Sequence, residues 1–247
     1  MAKLESIFTV KGKVAGGTAY KTKYGNIFRT NGTLDKNRIT TDPSFSMLRN
    51  NMGEFGGSAS SGKAVRNSLK SCASDMNGSA TFLLTKYMRE LCNSSTLPRG
   101  QRVPLVANYN TKKVKLFKRD FSEVSRKTVD VVINGDVTVT FSPVASDLIV
   151  PPIRQSVGSV LVYRVGCTAG IFDLATLKSE EMSGTTSAYI PVSAPVAYTG
   201  NIITSTNITN GADFLQVAVF IEFAEELNGV TYPIGGGRYY VVEGEAV

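Results

Sequence analysis

The 247-residue chain contains no histidine. It therefore lacks the most common general acid and base, every nucleophile activated by a Ser-His or Cys-His pair, and the most common side-chain ligand of transition metals. Chemistry based on lysine, tyrosine or carboxylates stays open in principle. We expect a protein that is not an enzyme and that uses no cofactor and no metal ion.

Cysteine is scarce. The three that are present, Cys72, Cys92 and Cys167, show neither a C-x-x-C pair nor a spacing typical of a zinc site. The first two lie in segments with helical periodicity, and the third ends an apolar strand. We expect three reduced thiols that are buried as small hydrophobic side chains.

Long apolar runs are also missing, since no stretch approaches the roughly 18 consecutive apolar residues of a membrane helix. The segment that begins at Met1 has no apolar core of a signal peptide, and Lys11 and Lys13 follow where a cleavage site would lie. We expect no membrane association, a mature chain that begins near Met1, and a location in a virion or a bacterial cytoplasm.

Charge is distributed very unevenly along the chain. Residues 1–127 carry 23 Lys and Arg against 8 Asp and Glu, a net of +15, whereas residues 128–247 carry 4 against 12, a net of −8. Opposite charge on two parts of one chain favours either a basic module that faces nucleic acid or a subunit whose ends attract each other in an assembly.

The basic part predicts a small sheet followed by three helices. Alternating segments up to about residue 30 indicate short strands joined by Gly-containing turns. Asp42 and Pro43 form a helix start signal, with Phe45, Leu48, Met52 and Phe55 at helical spacing. This predicts helices over about 43–55, ended by Gly56-Gly57, then 58–76 and 79–91, with Phe82, Leu83, Tyr87, Met88 and Leu91 facing inward.

The acidic part predicts strands only. Two alternating apolar runs flank Asn134-Gly135, which is typical of a type I′ hairpin turn. Further strands rich in Val, Ile and Tyr follow, with predicted turns at Asn228-Gly229 and at Gly235–Gly237. The fold class that we expect is α+β: a basic domain over 1–120 with a small antiparallel sheet and three helices, then an acidic antiparallel β-sandwich over 121–247, joined by a connector between Lys112 and Thr128.

The densest basic cluster lies at the predicted boundary and is the candidate contact patch of the chain. Its members are Lys112, Lys113, Lys115, Lys118 and Arg119. Such a cluster binds either phosphate groups or the acidic side chains of a neighbouring subunit. The sequence leaves both alternatives open.

Two other motifs suggest chemistry and carry less weight. The stretch Gly57–Lys63 matches G-x-x-x-x-G-K, but Ala64 stands where a magnesium-binding hydroxyl belongs, and a helix rather than a buried strand precedes it. We interpret it as a connection between helices. Asp213, Glu222, Glu225 and Glu226 cluster around one strand, where we expect solvated charge rather than a site.

The N-terminal part resembles an uncharacterised family associated with Bacteroidota genomes and their phages. The resemblance rests on Gly16–Lys21 (GGTAYK), Arg38–Phe45 (RITTDPSF), Arg49–Gly56 (RNNMGEFG) and Arg99–Arg102 (RGQR). It implies an α+β part followed by a β-rich part and a bacterial or phage origin. It implies no activity.

These observations favour a structural protein that self-assembles, such as a phage virion or tail component or a filament subunit. We expect its partners to be further copies of itself or other structural subunits. The alternative is an accessory protein that binds nucleic acid through its basic N-terminal half.

Overall fold

The structure is a computed structural model that describes residues 2–4, 11–14, 16–22, 25–30, 36–134, 136–152, 155–182, 184–202 and 213–246. Contacts between Cα atoms divide the chain into two compact units, unit 1 over Met1–Arg49 and unit 2 over Asn50–Val247. The fold is mixed α+β, as the sequence predicts. None of the described helices is long and apolar enough to cross a membrane.

Unit 1 contains a small antiparallel sheet. Its strands are β1 (Ala2–Leu4), β2 (Gly12–Val14), β3 (Gly17–Thr22) and β4 (Gly25–Thr30), in the order β1-β4-β3-β2. Helix α1 (Lys36–Thr41) and a 3-10 turn over Pro43–Phe45 follow. Asp42 caps that turn by accepting a hydrogen bond of 2.9 Å from the backbone N–H of Ser44. The predicted start signal is therefore confirmed, but it begins the 3-10 turn that precedes α2.

Unit 2 begins with the rest of helix α2 (Ser46–Asn67), and α3 (Ala80–Asn93) follows. Its strands are β5 (Asp130–Asn134), β6 (Asp136–Phe141), β7 (Val160–Asp173), β8 (Ser179–Met182), β9 (Ile190–Pro191), β10 (Tyr198–Ile202), β11 (Asp213–Leu227) and β12 (Val230–Ala246). One sheet has the order β10-β6-β5. The larger sheet has the order β12-β11-β7-β8, and β9 also pairs with β7.

The two central strands of the larger sheet, β7 and β11, are buried on both faces. The segment Phe214–Ala224 is apolar at almost every position, which is typical of a strand covered on two sides. Phe214 and Ala218 belong to a first buried cluster, and Leu215 and Val217 belong to a second one on the opposite face. The alternation of side chains along a strand therefore divides the core of unit 2 into two layers.

The first cluster joins one face of the larger sheet to helices α2 and α3. The helices contribute Val65, Leu84 and Met88, and Leu69 follows in the chain directly after α2. The second cluster joins the opposite face to the three-stranded sheet, which contributes Val137, Val139, Phe141, Tyr198 and Ile202.

Helix α2 runs without interruption through Gly56-Gly57, so the predicted break between helices 43–55 and 58–76 is wrong. Ser58, Ser61 and Gly62 are buried on the face of α2 that lies against α3. A Cβ atom on Gly62 would lie 3.2 Å from the Cβ atom of Leu84, so small residues allow the two helices to approach closely. This packing stabilises the helix against the entropic cost of its glycines.

One of the three predicted turns agrees with the structure. Asn228 and Gly229 have φ values of 53° and 76°, as a type I′ turn between β11 and β12 requires. The predicted β5–β6 hairpin forms, but Asn134 pairs with Asp136, and this register does not fit a two-residue turn at Asn134-Gly135. Gly135 itself lies outside the described residues. The turn predicted at Gly235–Gly237 is wrong, because these glycines lie inside β12.

The chain does not divide near residue 120, where the sequence predicts the boundary. The predicted connector carries buried side chains of both clusters: Leu116 and Phe117 belong to the first, and Phe121 and Val124 to the second. Helices α2 and α3 likewise share a core with β11. Residues on both sides of position 120 bury the same sheet, so no boundary between units falls there. The boundary lies between Arg49 and Asn50.

The C-terminal end of α2 is fixed to the sheet by one polar contact and one close approach. Gln216 on β11 donates through Nε2 to the carbonyl of Val65 at 2.9 Å and to the hydroxyl of Ser68 at 2.5 Å. Gly170 on β7 lies directly below, and a Cβ atom there would be 1.8 Å from the carbonyl oxygen of Ser68. The main chain after α2 therefore sits on a place where the sheet has no side chain.

We expect Gly170→Ala to destabilise unit 2 by about 3 kcal/mol, since the methyl group would push the chain after α2 off the sheet. The matched control is Gly56→Ala, where a Cβ atom would meet nothing within 4 Å. Because Gly56 is exposed in the interior of α2, this control should raise the free energy of unfolding by about 0.5–1 kcal/mol. Urea unfolding followed by circular dichroism measures both changes. An equal effect of the two substitutions would contradict the close approach.

Candidate functional site

The structure places three of the five residues of the basic patch, Lys112, Lys115 and Arg119, around one groove beside the edge strand β12, whereas Lys113 and Lys118 do not line it. The backbone N–H of Tyr240 donates to the carbonyl of Arg119 at 3.2 Å, and Asp120 bridges Tyr240 in parallel orientation. The short segment that carries the patch therefore covers the middle of the β12 edge. This proximity to β12 is not visible in the sequence, because about 120 residues separate the two segments.

Three members of the patch have partners within the chain. Lys112 forms an exposed ion pair of 3.1 Å with Glu243, and Lys118 donates to the carbonyl of Ser74 at 2.8 Å. Arg119 donates to the hydroxyl of Tyr239 at 2.6 Å and lies over its ring, with 5.0 Å from Cζ to the ring centroid. Lys113 and Lys115 are exposed.

A groove of about 290 Å³ lies between the patch and β12. Lys112, Lys115 and Arg119 line it, together with Phe117 and Tyr240. The two aromatic rings stack on each other at 4.0 Å, with 11° between their planes, and both residues are buried. Because each ring already has a partner and little exposed surface, this pair offers no free face for a nucleic-acid base.

The G-x-x-x-x-G-K stretch forms part of helix α2. Gly57 and Lys63 lie within the helix, where backbone N–H groups are hydrogen-bonded along the helix axis rather than free to surround a phosphate. Gly62 is buried against α3. The interpretation as a connection between two helices is therefore wrong, because the whole stretch lies inside one continuous helix.

Of the acidic group on β11, Glu222 has the most developed surroundings. Its carboxylate pairs with Arg164 at 2.5 Å and with Arg238 at 3.7 Å, and the hydroxyl of Tyr189 donates to it at 3.3 Å. Each arginine also lies over an aromatic ring, since Cζ of Arg238 is 4.4 Å from the centroid of Phe220. Two cations therefore neutralise this buried carboxylate, and the cluster is a saturated ion-pair network.

The glycines that the sequence predicts as a turn bring Arg238 into this network. The pairing of β11 with β12 shifts between Ile221 and Phe223, which pair with Tyr239 and Ile234. Residues 235–238 form an irregular bulge opposite Glu222, and Gly237 has a φ of 122°. The bulge returns Arg238 to the sheet beside the carboxylate.

Glu225 binds a loop rather than a ligand. Its carboxylate accepts hydrogen bonds from the backbone N–H of Ser156 and from the hydroxyls of Ser156 and Ser159. The hydroxyl of Ser159 and the backbone N–H of Ser156 lower the pKa of Glu225 below its ordinary value of 4.5. Glu226 is half-buried, and the side chain of Asp213 lies outside the described residues.

The three cysteines are free and buried, as the sequence predicts. Cys72 and Cys167 border one cleft of about 300 Å³, yet they belong to the clusters on opposite faces of the sheet. Burial raises the pKa of the Cys72 thiol above its ordinary value, which disfavours the reactive thiolate.

The apolar face that the sequence indicates on the first part of α2 is exposed. Leu48, Met52 and Phe55 follow helical spacing along one side of the helix, and 42%, 59% and 53% of their surfaces are accessible. We refer to these three residues as the α2 stripe. Phe82 on α3 is 69% exposed, so its predicted inward position is wrong.

The signal that could have separated the exposed part of α2 from its packed part is the set of small residues that follows Phe55. Gly62 comes seven residues after Phe55 and lies on nearly the same side of the helix, yet Ser58 and Gly62 are the residues that contact α3 closely. Hydropathy alone favours the large apolar side chains as the packed ones.

Among the described residues, no group of three or more His, Cys, Asp and Glu side chains is placed to hold a metal ion. Comparison of the chain with protein-family models, with curated proteins and with solved structures finds no match.

The hydrogen bonds to Glu225 predict a specific dependence of stability on pH. Because they lower its pKa in the folded state, the stabilisation is present above the unfolded pKa and is lost as the pH falls through the lower folded pKa. We expect Glu225→Gln to lower the melting temperature at pH 7 and to differ progressively less from the unmodified chain below about pH 4.

The control is Glu226→Gln at the next position, which should change the melting temperature little at any pH. Thermal unfolding at several pH values measures both variants. If the difference in melting temperature between Glu225→Gln and the unmodified chain stays constant or grows in acid, the hydrogen bonds to the Glu225 carboxylate do not stabilise the fold as we expect.

Proposed function

We propose that this chain is a non-enzymatic structural protein that assembles with further copies of itself. The observation that carries the proposal is the α2 stripe, in which Leu48, Met52 and Phe55 expose large apolar surfaces side by side. Burial of apolar surface stabilises by about 25 cal/mol per Å², and adjacent exposed side chains of this size are typical of interaction sites. A second copy that covers the stripe would remove it from water.

The charge distribution supports contact between unlike surfaces. Unit 1 carries 9 Lys and Arg against 3 Asp and Glu, a net of +6, whereas residues 128–247 carry a net of −8. The basic surface of one copy and the acidic surface of the next attract each other. Such a head-to-tail contact repeats from copy to copy and builds rings or helical filaments.

We also propose that the two sheets of unit 2 form an antiparallel β-sandwich, with the second cluster as its filling. The support is that Val139 and Phe141 of the three-stranded sheet share this cluster with Val217 and Val219 of the larger sheet. A rigid layered body suits a subunit that repeats in a particle. A phage virion or tail component, or a filament subunit in a bacterial cytoplasm, is the form that the resemblance of the N-terminal part favours.

The assembly test compares two lysine substitutions at exposed phenylalanines, of which Phe55 is 53% and Phe82 is 69% accessible. We expect Phe55→Lys, in the α2 stripe, to raise the concentration at half assembly at least about tenfold, which corresponds to about 1.4 kcal/mol. Phe82→Lys, on α3, should leave it unchanged. Light scattering coupled to size-exclusion chromatography, with negative-stain images, measures the particles at low and high salt.

Assembly should weaken in high salt without disappearing, because the apolar contact is not screened. An unmodified chain that stays a monomer at every concentration would overturn the proposal, and so would equal effects of the two lysine substitutions.

The alternative is an accessory protein that binds nucleic acid. The observation that favours it is the groove beside the basic patch, where Lys112, Lys115 and Arg119 converge. Against it stand the internal partners of Lys112, Lys118 and Arg119 and the buried Phe117–Tyr240 stack.

We expect the unmodified chain to show no tight DNA binding in gel-shift measurements. If it did bind, reversing Lys112, Lys113 and Lys115 to Glu would weaken binding and flatten its salt dependence by about 0.9 logarithmic units for each lost phosphate contact. Salt-sensitive DNA binding by a monomer that this triple substitution abolishes would replace the assembly proposal with the alternative.

A further inference from the structure

A gap of about 550 Å³ separates two strand edges in unit 2. It is bordered by Val129–Ile133, which include most of β5, and by Glu243 and Gly244 near the end of β12. We refer to this gap as the β5–β12 slot. Five consecutive residues border it on one side, so the main chain of β5 runs along the gap.

Both strands have an unpaired edge at this place. Among the strands that the structure describes, β5 pairs with β6 only, and β12 pairs with β11 only, apart from the bridge between Asp120 and Tyr240. Within the described residues, the backbone groups of 130–133 and 241–244 form no hydrogen bonds beyond those to β6 and β11. Unpaired N–H and C=O groups along a strand edge are a template for a further strand.

The rest of the β12 edge is protected, whereas the slot is not. Pro233, the bulge over residues 235–238 and the segment at Arg119–Asp120 interrupt or cover the first part of the edge. Proline, bulges and covering segments are common means by which proteins prevent edge pairing. Asp130–Asn134 contains neither proline nor lysine, and Val132 is 51% exposed.

The charges at the slot are acidic. Asp130 is exposed and forms no described ion pair, and Glu243 pairs with Lys112 through an exposed contact that an incoming cation can join. A strand that enters the slot is therefore favoured if it carries positive side chains.

Unit 1 offers such a strand. Among the described strands β2 is the edge of the four-stranded sheet, because it pairs with β3 only. Lys11 precedes it and Lys13 lies within it, and both side chains are exposed. Lys11–Val14 spans about 13 Å at about 3.3 Å per residue, a length similar to that of the β5 edge.

We propose that the β5–β12 slot of one copy receives the β2 edge, Lys11–Val14, of a second copy. This inference rests on the proposed function, since it names the contact by which assembling copies meet. Backbone hydrogen bonds supply the pairing, and Lys11 and Lys13 against Asp130 and Glu243 supply the selectivity. The slot belongs to unit 2 and β2 to unit 1, so the contact joins unlike elements and continues from one copy to the next.

The test is a charge exchange in the full chain. One variant carries Lys11→Glu and Lys13→Glu, and the other carries Asp130→Lys and Glu243→Lys. We expect each variant alone to require at least about tenfold more protein for half assembly, because its β2 edge and its slot carry like charges. When the two variants are mixed, each β2 edge meets a slot of opposite charge, so assembly should return to within about threefold of the unmodified chain.

The control is Lys86→Glu with Arg89→Glu, which makes the same change in net charge at exposed positions of α3. It should assemble as the unmodified chain does. A second measurement mixes Lys13→Cys with Asp130→Cys under mild oxidation, and we expect a disulfide-linked dimer of the two variants that neither forms alone. The native cysteines are buried, so they should not compete.

The outcomes separate this inference from the proposed function. If the unmodified chain assembles and both charge variants assemble at the same concentration, the slot inference is overturned while the assembly proposal stands. Failure of the mixture to recover, or absence of the mixed disulfide, overturns the slot inference in the same way. A monomeric unmodified chain overturns both.

Discussion

Strands β7 and β11 are buried on both faces, and the rest of unit 2 depends on this constraint. A sheet whose two central strands are apolar on each side requires a layer above and a layer below. Helices α2 and α3 share a buried cluster with one face, and residues of the three-stranded sheet share a second cluster with the other. The side-chain amide of Gln216 donates hydrogen bonds to Val65 and Ser68 at the end of α2. Gly170 has no side chain there, so the main chain of Ser68 can lie directly on the sheet. Together these two contacts fix the position of the helices on the sheet.

The buried carboxylates of β11 have partners that the fold supplies. Glu222 lies between Arg164 and Arg238, and the glycine-containing bulge in β12 is what returns Arg238 to the sheet. Glu225 holds a loop through two serines. Removing one member of such a group would leave a buried charge without compensation, so these residues serve the fold. The surfaces that stay available for a partner are the α2 stripe, the basic patch and the β5–β12 slot.

The proposed assembly uses surfaces of two kinds, and each has a physical role. An apolar contact on α2 supplies free energy that salt does not screen, whereas the charges at β2 and at the slot select the partner and its direction. The basic patch is only partly available for a partner, because three of its five residues already form contacts that stabilise the segment along β12.

The sequence by itself determined the mixed α+β class, helix α3, the long apolar strands, the Asn228-Gly229 turn and the burial of the cysteines. These features depend on local periodicity and turn chemistry, which the chain carries wherever it is placed. The tertiary structure decided the course of α2 through Gly56-Gly57, the exposure of Met52 and Phe55, and the division of the chain at Arg49. Each of these depends on which surface a segment contacts. Small residues on α2 allow a closer approach to α3 than the large apolar residues of α2 would allow. Residues on both sides of position 120 cover the same sheet, so the chain does not divide there. The slot also needed the structure, because an unpaired strand edge is a property of the sheet and has no counterpart in the order of residues.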